Sequence, residues 1–120
     1  EHPFDAAKLA IAAGASYVAR STVYHAGQLT RLIADGISNN GFSLIDALSN
    51  CHTYYGRWNK EGDPVKMIQW FKSHVVPAAT ADKMPPEKKE GKWLTGLLHK
   101  EDKPEFTDNY ERLRAELKKR

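Results

Sequence analysis

Gly41-Phe42-Ser43-Leu44-Ile45-Asp46-Ala47-Leu48-Ser49-Asn50-Cys51 runs from a helix stop, through a strand, to the lone cysteine of the chain. The apolar run bounded by turn formers makes residues 42–48 a strand. Upstream, Leu29, Leu32, Ile33, Gly36 and Ile37 recur at helical spacing. A helix is expected over residues 26–39, closed by Asn39-Asn40-Gly41. Before it, β-favouring Tyr17 and Val18 place a short strand over residues 16–23. Residues 3–13 read as a first helix: Pro3 suits the first turn, Asp5 complements the N-terminus, and Gly14 is placed to end it. Its small apolar content (Ala6, Ala7, Leu9, Ala10, Ile11) suits close packing on a sheet. Helix, strand, helix, strand with short links is the signature of a parallel α/β sheet.

Downstream of the strand, residues 49–62 form a loop that is long for an α/β link, and such loops tend to carry function. Asp63-Pro64 gives an N-cap followed by proline at the first helical position, so a helix follows to about Val76, stopped by Pro77. Residues 78–91, with Pro85-Pro86 and several lysines, read as a linker. Trp93, Leu94, Leu97 and Leu98 make a small sticky segment. Phe106, Tyr110, Leu113 and Leu117 mark one face of a last amphipathic helix.

The 120 residues divide unevenly. Residues 1–80 hold 38 apolar residues; residues 81–120 hold 11, and half of those forty positions are charged. The expected organisation is a core piece over residues 1–80 and a charged extension over residues 81–120 that cannot bury itself. Eighty residues make a marginal core alone, so a partner or a further segment is expected. The net charge of +3 permits acidic partners without demanding them. Lys118-Lys119-Arg120 reads as a solvated helix end, and the other basic residues alternate with acids, so nucleic-acid binding is not expected. No stretch is long and apolar enough to span a membrane, and no secretory leader is seen; the expected location is cytoplasmic.

Cys51 falls just past the carboxyl end of a parallel strand, the edge of an open α/β sheet where ligands collect. An inert thiol, a catalytic thiolate, a metal ligand and a redox sensor all remain open there. A single cysteine cannot build a zinc or iron–sulfur site unaided. As a ligand it must share its metal with residues elsewhere. His52 is the adjacent candidate base for thiol catalysis. Tyr54, Tyr55 and Trp58 either pack the loop down or shield a cofactor, with Arg57 available for an anion or a partner. Arg20 and His25 flank a strand end and are candidates for the same edge. The remaining histidines, His2, His74 and His99, have no metal-like spacing. There is no glycine-rich phosphate loop and no Ser-His-Asp arrangement.

Beyond these readings, Pro3-Phe4-Asp5, the run from Ala12 to Arg20, Gly41-Phe42-Ser43-Leu44-Ile45 and Leu48-Ser49-Asn50-Cys51-His52-Thr53-Tyr54-Tyr55-Gly56-Arg57 resemble the late part of a β subunit of the 2-oxoacid:ferredoxin oxidoreductases. The likeness is greatest to the 2-oxoglutarate:ferredoxin oxidoreductase, or 2-oxoglutarate synthase, branch. Gly62-Asp63-Pro64-Val65, Gly96-Leu97-Leu98, Pro104-Glu105-Phe106 and Tyr110 fit it too.

The resemblance implies part of a thiamine diphosphate-binding α/β domain. It also implies a 4Fe-4S cluster held by four cysteines, of which Cys51 matches the last. The complete enzyme would oxidatively decarboxylate a 2-oxoacid, 2-oxoglutarate by branch, to its acyl-CoA and reduce ferredoxin. It would do so with an α subunit, coenzyme A, thiamine diphosphate and Mg2+. The Gly-Asp-Gly plus Asn pattern for magnesium and the other three cysteines are absent from residues 1–120. The family carries them upstream, so the chain is expected to be the C-terminal portion of the subunit and inactive by itself. Asn50 stands where the family often has proline. Two rivals accompany this reading. One is an autonomous interaction module that reuses the fold, with residues 81–120 wrapping a partner; the other is a thiol enzyme using Cys51 with His52.

Overall fold

A computed structural model describes residues 4–119. The elements run α1 (Ala6–Ala12), β1 (Tyr17–Thr22), α2 (Ala26–Ser38), β2 (Ser43–Leu48), α3 (Pro64–Ser73), β3 (Val75–Pro77), α4 (Ala78–Ala81), α5 (Pro86–Lys89), β4 (Trp93–Lys100) and α6 (Phe106–Leu117). The four strands form one sheet in the order β2-β1-β4-β3. β1 pairs parallel with β2, with Arg20 opposite Asp46, and β3 pairs parallel with β4. β1 and β4 run antiparallel. The result is a mixed α/β fold whose sheet is dominated by parallel pairs. The expected order, helix-strand-helix-strand-loop-helix, is the observed order from α1 to α3.

Each boundary has a local cause. Asp5 accepts from the N–H groups of Ala7 and Lys8 and caps α1. The proposed first-turn role of Pro3 lies outside the described residues, as do His2 and Arg120. Asp63 caps α3 in the same way, accepting from Val65 and Lys66, with Pro64 at the first position. β1 is buried along its whole length because helices cover both of its faces. Ala7, Ala10, Ala15 and Val18 pack on the α1 side. Tyr17, Ala19 and Leu32 pack on the α2 side. Gly36 lets α2 approach the sheet: a Cβ there would stand 2.6 Å from Ile45 Cδ1.

Two expectations need correction. Residues 93–100, read as a sticky segment within the extension, form the longest strand and lie directly beside β1. Residues assigned to the extension therefore complete the sheet. Gly96, with φ of 99°, breaks the run of apolar residues that would mark a strand in the sequence. The helix expected to reach Val76 ends at Ser73, and Val75–Pro77 turns into an edge strand. Proline, which lacks a donor, is tolerated at such an edge. The linker contains two single-turn helices, α4 and α5.

Arg20 joins these layers. Its Nε donates to Asp46 Oδ2 at 2.7 Å, and its Nη2 donates to Asp5 Oδ1 at 2.6 Å. Its guanidinium carbon lies 4.9 Å from the centroid of the Trp93 ring. One buried cation thereby ties α1, β1, β2 and β4 together. Partial burial raises the Asp5 pKa, but the Arg20 hydrogen bond, the Lys8 N–H and the charges of Arg20 and Lys8 outweigh it. The carboxyl is held below its ordinary 3.8. A lowered folded-state pKa adds stability above the ordinary carboxyl value and withdraws it as pH falls through the folded value. Asp5→Asn, which can still accept at the cap, should cost roughly 1–2 kcal/mol at neutral pH. It should also flatten the loss of stability below about pH 4. Urea unfolding of both proteins at pH 7 and pH 3 checks this: the gap between them should narrow in acid.

Candidate functional site

β1 and β2 end together at Thr22 and Leu48, and the chain beyond β2 supplies the candidate site. Residues 49–51 lead into a tight turn over His52–Gly56. Its wide hydrogen bonds span five residues: Gly56 N donates to Cys51 O at 2.8 Å, and Glu61 N donates to Gly56 O at 2.6 Å. Gly56 is buried at the crossing. A Cβ on it would meet Glu61 O at 2.8 Å and Met67 Sδ at 3.0 Å, so only glycine lets the loop fold back on α3. Lys60 turns the chain with φ of 60°.

Cys51 stands at the entrance to this turn. The Tyr55 and Tyr54 N–H groups, followed by the Thr53 hydroxyl and N–H, hold the Cys51 thiol below its ordinary value. Thr53 Oγ1 lies 3.9 Å from Sγ. Cys51 is exposed, so burial opposes these donors only slightly. Cys51 opens onto a cleft of about 670 Å³, walled by Tyr55, Lys60, Lys66, Met67, Trp70 and Phe71.

The remaining sequence candidates fall elsewhere. Among the described residues Cys51 bonds to Thr53 and not to His52, so the adjacent histidine is not placed as its base. Tyr54 and Trp58 meet edge to face at 6.5 Å between centroids, and both point outward, 73% and 75% exposed. They do not pin the loop to the body. Arg20 is buried beneath α1 in its ion pairs and does not reach this edge. His25 lies three residues past the end of β1, with Nδ1 at 2.9 Å from Thr22 Oγ1. His74 bonds the Trp70 carbonyl, and His99 lies 3.7 Å from Glu101. No group of three or more His, Cys, Asp or Glu among the described residues is arranged to hold a metal. Among them, too, no helix is long and apolar enough to cross a membrane. The sequence reading gave no role to Met67 and Trp70, which line this cleft.

The chain is 45% identical over 108 residues to 2-oxoglutarate synthase subunit KorB of Methanothermobacter marburgensis, a match covering 90% of this chain and 38% of that subunit. It is 42% identical over 118 residues to the KorB subunit of Methanocaldococcus jannaschii, covering 98% and 44%. The chain is homologous to part of the 2-oxoglutarate synthase subunit KorB. It spans about two fifths of the length of these curated relatives. Its fold is similar to that of a 2-oxoglutarate:ferredoxin oxidoreductase from Magnetococcus marinus, solved with 2-oxoglutarate, coenzyme A and succinyl-CoA bound. That match has a TM-score of 0.73 and 21% identity, and covers 98% of this chain and 40% of that one. No protein-family model matches the chain.

Because the Thr53 hydroxyl is one of the donors to the Cys51 sulfur, Thr53→Val should move the thiol titration back toward its ordinary value. Thr53→Ser should leave it in place. The pH dependence of iodoacetamide alkylation at Cys51 measures this directly.

Proposed function

We propose that this chain is the C-terminal portion of a 2-oxoacid:ferredoxin oxidoreductase β subunit, and that Cys51 is one thiolate ligand of its 4Fe-4S cluster. The observation that carries the ligand role is an exposed Cys51 sulfur just past the end of β2, 3.9 Å from the Thr53 hydroxyl and facing a cleft. Such a sulfur is already biased toward the thiolate that iron binds. The residues therefore fit one corner of a cluster. With a single cysteine in the chain, the other corners belong to other residues.

Bound there, the cluster takes up and passes on single electrons, while thiamine diphosphate with Mg2+, held elsewhere in the complete subunit, supplies the carbanion chemistry. The part played by this chain is to hold the sulfur in place, donate hydrogen bonds to it and wall it on one side. Residues 1–80 belong to the thiamine diphosphate-binding domain in this reading, joined in the sheet by β4. α6 docks on the rest of the subunit or on the α subunit through Phe106, Tyr110, Leu113 and Leu117, all more than half exposed. The complete enzyme converts a 2-oxoacid, 2-oxoglutarate by homology, and coenzyme A to acyl-CoA and CO2 with reduction of ferredoxin. The isolated chain is inactive.

The full-length subunit carrying Cys51→Ser, purified without oxygen, should lose most of its iron and acid-labile sulfide relative to wild type while keeping its circular dichroism. Full iron and sulfide content in that variant would refute the ligand role.

A further inference from the structure

We propose that the cavity between α2 and the start of β1 binds a small zwitterion, an α-amino acid with an apolar side chain, at a site separate from Cys51. The cavity has a volume of about 350 Å³, the size of a small-molecule site. It lies at the opposite end of β1 from the Cys51 loop. Tyr17 opens that strand, and Lys100, the last residue of β4, stands opposite it in the register. α2 and its C-cap supply the facing wall, where Leu32, Asp35 and Asn39 recur at helical spacing. Tyr17 and Leu32 are buried and make the floor. Asp35, Ser38 and Lys100 are exposed and make the mouth.

The polar groups of this cavity are sorted by charge and by hydrogen-bonding role. Asp35 and Lys100 line the same space, yet neither joins an ion pair among the described residues. Two opposite charges held apart over an apolar floor suit a ligand that carries both signs. Tyr17 donates its hydroxyl to the Leu32 carbonyl at 3.3 Å, which leaves the phenol oxygen as an acceptor. Asn39 Nδ2 donates to Ser16 Oγ at 3.0 Å and to Ser43 Oγ at 3.1 Å, so the carbonyl oxygen is the free end of that amide. Asp35, Tyr17 and Asn39 therefore offer three acceptors, which matches the three donors of one ammonium. Lys100 supplies the cation for a carboxylate, and the Ser38 hydroxyl adds a donor. The Asp35 charge is felt at the floor: burial, and then that charge, push the Tyr17 phenol above its ordinary 10.0. Leu32 and Leu97 give the ligand side chain an apolar bed. A simple amine or a simple acid would leave one of the two charges unmatched.

Equilibrium dialysis of radiolabelled L-leucine against the full-length subunit, in its native complex, tests the site. Saturable binding of one leucine per subunit is expected. Unlabelled leucine should compete for it. Leucinamide, which lacks the carboxylate, and N-acetyl-leucine, which lacks the ammonium, should not. Asp35→Asn and Lys100→Met, both at exposed positions, should each weaken binding by about tenfold or more with circular dichroism unchanged. Absence of saturable leucine binding to the wild type would overturn the proposal. So would competition by either derivative as strong as that of leucine, or full affinity in either variant. The outcome does not depend on whether Cys51 binds iron.

Discussion

A buried guanidinium with two carboxylate partners organises the sheet. Taking Arg20 out of water costs several kcal/mol in effective terms, and a single imperfect partner would not offset that. Asp5 and Asp46 each accept a short charge-assisted hydrogen bond from it, and Trp93 covers it from a third side. The partners come from α1, β2 and β4, so each of these elements must be in place for the charge to be satisfied. This makes the cluster a device of specificity more than of net stability. It penalises any arrangement in which β2 slips against β1 or in which β4 is absent. The consequence for function lies at the end of β2, five residues beyond Asp46, where the chain reaches Cys51.

The route from that strand to the sulfur depends on backbone more than on side chains. Gly56 permits the close crossing with Glu61 and Met67, and the bonds from Gly56 N to Cys51 O and from Glu61 N to Gly56 O hold the loop around it. The exposed aromatic residues of the loop contribute little to this local folding, since Tyr54, Tyr55 and Trp58 are mostly outside. Their exposure, with that of the apolar stripe of α6, fits a surface completed by more protein. The relatives, over twice the length of this chain, say the same in sequence terms.

The sequence made α1, β1, α2, β2 and the start of α3 legible because their signals are local: alternating or helical apolar spacing, Asp5 and Asp63 at caps, and Asn-Gly at a helix end. β4 was not legible. Its apolar run is cut by Thr95-Gly96, and what makes it a strand is pairing with β1, about eighty residues earlier in the chain. β3 was hidden because Val75 continues the spacing of α3 and the strand is three residues long. At the candidate site, Cys51 was legible from its place after a strand, and the homology to KorB agrees with the family resemblance of its surroundings. The fold of its loop was not legible, since it depends on wide backbone hydrogen bonds and on a buried glycine. The role of Arg20 was misplaced because a charged residue in a strand reads as a rim residue unless its two distant carboxylates are known.

The central claim is that the sulfur presented at the end of this sheet binds iron. Anomalous diffraction at the iron absorption edge, from crystals of the full-length subunit grown without oxygen, tests it most directly. The account predicts an iron peak in bonding contact with Cys51 Sγ, inside the cleft bordered by Trp70. Iron located elsewhere in the subunit, with Cys51 Sγ free of any metal, would contradict it.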